Sequence, residues 1–401
     1  METKEPVDYP LVRHDDLSMD PVYRELQQGP PFKARLAYGE PIWILTRYDD
    51  VKTAYGDRRF GKSLGVGRDR PRMHEMAMPD DPTLLANMDP PDHTRVRRLA
   101  SIAFSPARIR GMADWIQGMT DDLLDDLGEE GSGADFMSIF AWRLPLQVIT
   151  GIIGASEAQI PMFRKWVDEM TGVDSTLEQR AEAFHQIIAC IGDLIAERRE
   201  QRSDDLLCAL VEARDNEDRL TEDELLNLAM TLFLGGFETT AAQLGSTVFT
   251  LMTHRDLWQE LLDDRELLPA AIEELWRWIP SFRHGWPMIR WAIEDAELSG
   301  GVVIPAGDPV LPEHQVGNRD ESVFPHGWEL DFHRVDPAPH MALAYGSHRC
   351  MGAHLANLEV QIALTTLLQR FPSLELAVPP DEVMWSPSTF LRSAKELPVT
   401  W

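Results

Sequence analysis

One cysteine stands where a glycine-bearing loop runs into an amphipathic helix, and no other stretch restricts the fold as much. The segment reads His340-Met341-Ala342-Leu343-Ala344-Tyr345-Gly346-Ser347-His348-Arg349-Cys350-Met351-Gly352. Beyond it Leu355, Leu358, Ile362, Leu364, Leu367 and Leu368 recur at helical spacing and predict a helix over 351–369. A thiol just ahead of a helix N-terminus meets unpaired backbone N–H groups and the positive end of the dipole, and both favour its thiolate. Gly346 and Gly352 let the backbone come close to the sulfur and to whatever binds it.

Two readings fit that string by itself. Cys350 is either a small buried residue, as most single cysteines are, or a metal ligand. A lone thiolate in such a loop suits an axial ligand to haem iron, where electron donation from sulfur favours O–O cleavage. The rest of the chain decides between them.

Composition removes several function classes. Lysines and arginines number 38 against 66 aspartates and glutamates, a formal charge of −28. That speaks against nucleic acid or an anionic membrane as the main partner. No uninterrupted apolar run approaches the ~20 residues that cross a bilayer, and Met1-Glu2-Thr3-Lys4-Glu5-Pro6 lacks a signal-peptide apolar region. The expectation is a soluble, cytoplasmic protein with no membrane partner. Three cysteines (Cys190, Cys208, Cys350) in 401 residues argue against a disulfide framework. The apolar fraction is ordinary for a globular chain. No repeat or shift in composition divides it, so a single domain over 1–401 is expected.

Candidate strands at 32–36, 41–46, 296–298 and 302–304 sit in otherwise helical sequence and predict a mainly α protein with a small β part. Helical periods run over 21–28, from 47 onward, 106–127, 141–154, 159–170, 177–202, 222–251 and 268–278. Between Gly65 and Asp89 the chain is proline-broken and carries Met73, Met76, Met78 and Met88, flexible side chains suited to an adaptable lid. The turn Met88-Asp89-Pro90-Pro91-Asp92 then opens a helix on which His93 and Arg97, four apart, share a face. Arg95, Arg97, Arg98, Arg108 and Arg110 fall in an acid-free stretch. Such a patch suits an acidic redox partner; scattered solvated arginines are the plainer alternative.

The middle of the 222–251 helix reads Leu232-Phe233-Leu234-Gly235-Gly236-Phe237-Glu238-Thr239-Thr240. Each glycine costs about 1 kcal/mol relative to alanine in a helix interior. Paired glycines would let a planar ligand lie against the backbone and let the helix open locally, while Thr239 beside Glu238 could relay protons. A kinked core helix with a back-bonding threonine fits the same string.

In company, the Cys350 loop, the Gly235-to-Thr240 run and Glu274-Leu275-Trp276-Arg277 resemble the cytochrome P450 family over nearly the whole chain. The resemblance implies that family's fold, mainly α with a small β part. Haem b (iron protoporphyrin IX) would lie between the long central helix and the helix after the cysteine. It implies Cys350 as iron ligand, His93, Arg97, Arg290 and His348 on the propionates, and Gly346 in the ligand loop. Gly236, Glu238 and Thr239 match the oxygen-activating segment. Met78, Leu232, Gly235, His284, Trp286, Met288 and Phe390 fall where family members line the substrate cavity. Arg334 matches the third member of a buried triad with Glu274 and Arg277 that braces the cysteine loop. Family members usually carry Phe-Gly where this chain has Leu343-Ala344. That departure keeps the ligand but alters packing around the sulfur.

The implied activity is haem-thiolate monooxygenation of a small apolar, aromatic or peptide-derived specialised metabolite, using O2. The chain shows no Gly-rich dinucleotide fingerprint, so electrons are expected from a separate ferredoxin and ferredoxin reductase. Two alternatives stay open. One is an oxidase that joins C–C or C–N bonds on a tryptophan- or tyrosine-derived substrate without inserting oxygen. The other is a haem-binding sensor or carrier without turnover, against which the intact Glu238–Thr239 pair counts.

Overall fold

The computed structural model describes residues 5–11, 14–73, 80–171, 174–203, 205–215, 219–283, 288–335, 338–386 and 391–401. Short strands among them are β1 (Val7–Asp8), β2 (Phe32–Arg35), β3 (Ile42–Leu45), β4 (Phe60–Gly61), β5 (Ala134–Asp135), β6 (Arg290–Ala292), β7 (Ala296–Leu298), β8 (Val302–Ile304), β9 (Pro309–Pro312), β10 (Glu375–Leu376) and β11 (Pro398–Thr400). The chain forms two compact units, one from 1–94 and 273–350, the other from 95–272 and 351–401.

The first unit carries most of the β structure. Its main sheet runs in the order β1-β2-β3-β9-β6-β4, with β3 and β9 parallel and the β2–β3, β6–β9 and β4–β6 pairs antiparallel. Ile42, Ile44 and Leu45 on β3 are fully buried, and Leu45 shares a core with Tyr48, Val51, Ala54 and Tyr55 of the helix Tyr48–Gly56. β7 and β8 form a separate antiparallel pair. The sequence marks β2, β3, β7 and β8 to within a residue at each end. It does not mark β4, β6 and β9. Strands of two to four residues show no usable alternation, and β9 carries a proline at each end, which argues against a strand although both prolines are tolerated there.

The second unit is helical, with the small antiparallel sheet β10-β11-β5. Its longest helix, Glu222–Thr253, begins at a capping box: Thr221 Oγ1 accepts from Glu224 N–H at 3.1 Å and Glu224 returns the bond to Thr221 N–H at 2.9 Å. Three acids in its first turn suit the positive dipole end. Arg95 pairs with Glu224 at 2.5 Å and holds that carboxyl below the usual range. By length and composition this helix is apolar enough to cross a bilayer although polar residues interrupt it, but most of that window is buried in the protein.

The long helix packs chiefly on the helix Arg143–Ile153, and also on Ala353–Arg370, the helix that follows the cysteine. The Phe233 ring lies 4.3 Å from Phe163 and 5.6 Å from Phe237, tilted against each. The post-cysteine helix is tied to Ala113–Glu130 by Gln117 on Thr366 Oγ1 at 3.0 Å and by Arg370 on Asp121 O at 3.0 Å. The continuous helix expected over 106–127 breaks instead at Met112, into Pro106–Gly111 and Ala113–Glu130. Trp385 bridges Ala394, and Ser386 N–H reaches Ser393 O at 2.8 Å, forming a short hairpin base near the C-terminus.

Candidate active site

Cys350 is exposed, and its N–H donates to the carbonyl of Leu343 at 2.8 Å, which closes the loop on itself. Two positions carry left-handed backbone: Gly346 at φ +70° and Ala344 at φ +56°. At Gly346 a Cβ would collide with the carbonyl of Tyr55, so glycine is needed there for space as well as for conformation. Ala344 pays for its conformation, since left-handed backbone costs an L residue about 1 kcal/mol or more. Of the Leu343-Ala344 departure, the alanine is thus the half with a backbone consequence. The helix after the cysteine starts at Ala353 behind Gly352, two residues later than its apolar period suggests.

His348, in this loop, lies beside His93, their ring centroids 4.1 Å apart and tilted by 42°. His93 is buried and His348 half-buried. Arg290 is buried on β6, its guanidinium 5.1 Å from the centre of the Tyr55 ring. Among the described residues it donates to the carbonyls of Met288 at 3.0 Å and Ile289 at 3.1 Å, and no acid there forms an ion pair with it. Burial pushes its pKa down to about 10, against the opposing pull of Tyr55 and Asp89. A desolvated cation of this kind favours an anionic partner.

The bracing triad is present. Glu274 takes two bonds from Arg277 at 2.6 and 2.7 Å and one from Arg334 at 3.2 Å, all three side chains buried. Arg277 also donates to the carbonyls of Asn318 and Gly327, both at 2.6 Å, and of Glu329 at 2.9 Å. Asn318 then completes the connection, because its Oδ1 accepts from Met341 N–H at 2.7 Å. The triad therefore reaches the cysteine loop through Asn318, a role that the sequence did not reveal.

Around Gly235 and Gly236 the long helix stays α-helical, so the local opening expected there is not seen. The two glycines have separate surroundings. A Cβ on Gly235 would meet open space, whereas one on Gly236 would lie 2.8 Å from Ile149 of the neighbouring helix. Thr239 is half-buried and its hydroxyl bonds back to Gly235 O at 2.9 Å. Glu238 and Leu232 are buried.

A family model described as Cytochrome P450 matches residues 12–400. The chain belongs to the cytochrome P450 family. Among curated relatives, the mycinamicin IV hydroxylase/epoxidase of Micromonospora griseorubida is 40% identical over 403 residues, covering 100% of both chains. Nocardicin C N-oxygenase of Nocardia uniformis subsp. tsuyamanensis is 39% identical and covers 98% of each. A crystal structure of a cytochrome P450 with biaryl coupling reactivity superposes at a TM-score of 0.92, with 39% identity over 98% of this chain and 99% of that one. The fold is thus the P450 fold, mainly α with a small β part, and the protein is an oxidoreductase of the monooxygenase type.

P450s bind haem b. The residues of this P450 fit the group: an exposed thiol, and a buried Arg290 with no acid partner among the described residues, suit an iron and a carboxylate respectively. Among the described residues no cluster of His, Cys, Asp and Glu offers a competing metal site. Of the proposed cavity residues, Met78, His284, Trp286 and Phe390 lie outside the described residues, and Met288 is half-buried. Among the described residues, several buried ionisable groups escaped the sequence reading, two of them strongly perturbed by burial. These two are Lys62, just past β4, and Glu359 on the post-cysteine helix. A single charged residue in a short or apolar segment carries no pattern that marks it as buried.

Proposed function

We propose that this P450 is a haem-thiolate monooxygenase of specialised metabolism in which Cys350 ligates the iron. Arg290, His93, Arg97 and His348 would take the propionates. When bound, the group supplies oxygen activation under the electronic push of sulfur. Thr239, whose hydroxyl bonds to Gly235 O at 2.9 Å, and the buried Glu238 would hold and pass protons for that chemistry. Gly236 seats this segment on the helix that carries Ile149. Leu232, Gly235 and Met288, with Met78, His284, Trp286 and Phe390, line the substrate cavity.

The substrate we favour is small and apolar, aromatic or peptide-derived. Relatives acting on mycinamicin IV and nocardicin C support a specialised metabolite. Electrons come from ferredoxin and ferredoxin reductase; exposed Arg98 and Arg110 offer a basic surface for the former, while Arg95 is committed to Glu224. Three cysteines, none in a disulfide, fit a reducing, cytoplasmic setting. We take residues 1–401 to act as one P450 domain.

The observation that carries this reading is the exposed Cys350 in a closed loop held at left-handed Gly346. Cys350→Ser tests it. The reduced, CO-bound spectrum should lose its thiolate character and product should vanish; an unchanged spectrum and product overturn the assignment. A second reading, oxidative C–C or C–N coupling, is favoured by the neighbour with biaryl coupling reactivity. Product mass separates the two: gain of one oxygen for the first, loss of two hydrogens for the second.

A further inference from the structure

The helix Leu268–Trp278 carries two acids in succession, Glu273 and Glu274. Consecutive helix positions point about 100° apart, and the two carboxylates part accordingly: Glu274 is 5% exposed at the side chain and Glu273 59%. Glu274 reaches the cysteine loop through Arg277 and then Asn318, whose Oδ1 takes the N–H of Met341. Glu273 has a route of its own. Its Oε2 lies 3.1 Å from Nε2 of His340, and Nδ1 of the same ring accepts from Ala342 N–H at 3.2 Å.

A ring nitrogen that accepts a backbone N–H carries no proton. The bond to Ala342 therefore puts the proton of a neutral His340 on Nε2, where it is donated to Glu273. The two routes end on adjacent amides, Met341 held by Asn318 and Ala342 held by His340. Those amides open a tight turn, since Ala344 N–H returns to Met341 O at 2.9 Å. Leu343 stands inside that turn, and its carbonyl is the one that Cys350 N–H takes at 2.8 Å. At Ala344 the backbone is left-handed, φ +56°, a conformation that costs an L residue energy. Strain of this kind persists only where the surroundings over-determine it, and the two side-chain bonds to 341 and 342 supply that determination.

We propose that Glu273 and His340 are positioning residues for Cys350. The carboxylate fixes the ring, and the ring fixes the turn whose Leu343 carbonyl anchors the cysteine backbone. The proposal rests on Cys350 as the iron ligand. The haem-loaded protein and its His340→Leu, His340→Asn and Glu273→Ala variants are reduced, bound to CO, and followed in mild urea for the rate at which the thiolate-ligated absorption band is lost. Asparagine can accept from the N–H two residues on, the bond of an Asx turn, so His340→Asn keeps the hold on Ala342, which His340→Leu gives up.

His340→Leu should lose the band about fivefold faster than the wild type, the worth of one neutral hydrogen bond. His340→Asn should return close to the wild-type rate. Glu273→Ala should move the rate in the same direction as His340→Leu but by less, because the ring keeps Nδ1 beside Ala342 while its far nitrogen is released. A packing role ranks the variants the other way, since leucine fills the volume of the ring better than asparagine. The proposal is overturned if His340→Leu keeps the wild-type rate, or if His340→Asn loses the band as fast as His340→Leu or faster. Glu273 is largely exposed, so Glu273→Ala should fold even where His340→Leu does not, and a wild-type rate in Glu273→Ala overturns the part given to the carboxylate. Failure of the ligand assignment is read separately: a wild type that never shows the thiolate band fails at Cys350 before any variant is compared.

Discussion

Ala344 shows how a one-residue departure from the usual loop is felt. Its φ of +56° is a conformation that glycine adopts freely and alanine does not. Ala344→Gly should therefore stabilise the folded protein by about 1 kcal/mol, less the extra freedom it gives the unfolded chain, as read from urea unfolding of the holoprotein. Loss of stability instead would show that the Ala344 methyl packs more than it strains. Glu359 is a different case, at 1% exposure on the post-cysteine helix with Oε2 buried and lacking a hydrogen-bond partner. Burial alone holds its carboxyl well above its ordinary 4.5. Above that pH the unfolded chain releases a proton that the folded chain keeps, so stability falls as pH rises toward the folded value. Glu359→Gln removes this penalty. Its gain over the wild type should grow with pH by up to about 1.4 kcal/mol per unit, measured by urea unfolding across the neutral range. A gain that does not vary with pH would mean that Glu359 is ionised when folded.

Within elements, the long helix separates what its sequence had combined. Gly235-Gly236 reads as one glycine pair opening one surface, yet only Gly235 faces open space, while Gly236 is pressed against Ile149. Gly236→Ala should cost about 1–3 kcal/mol, the usual size of an overpacking penalty. Gly235→Ala should be neutral or stabilising by up to about 1 kcal/mol through helix propensity. Chemical denaturation of the two variants checks both, and equal effects would remove the distinction. What was legible here was long and periodic, or built on chemically distinctive residues: the 222–253 helix, the Cys350 loop, and Glu274 with Arg277 and Arg334. Less legible were effects that require a second segment. Asn318 relays the triad to Met341 across 23 positions, and Phe60 faces Ala292 only through the β4–β6 register. Neither leaves a local trace. The break at Met112 was missed because apolar spacing continues on both sides of it.

Across the whole molecule, two kinds of charge coexist and should respond to salt differently. The surface carries most of a net −28, and such self-repulsion works against the compact state. The Debye length falls from about 30 Å at 0.01 M salt to about 10 Å at 0.1 M, so exposed like charges uncouple over that range. The melting temperature of the haem-loaded protein should rise with added NaCl through that interval and then level off. Buried groups are screened far less. The cost of cutting Glu274 away from Arg277 and Arg334, which are 5%, 2% and 7% exposed at the side chain, should therefore be the same at low and high salt. Calorimetric scans of the wild type and Glu274→Gln across the NaCl series separate the two contributions. A wild-type melting temperature that does not move with salt would mean that acids and bases are already interleaved closely enough on the surface to cancel one another, as in the Arg199–Asp215 and Arg199–Glu222 pairs at 2.9 and 2.8 Å.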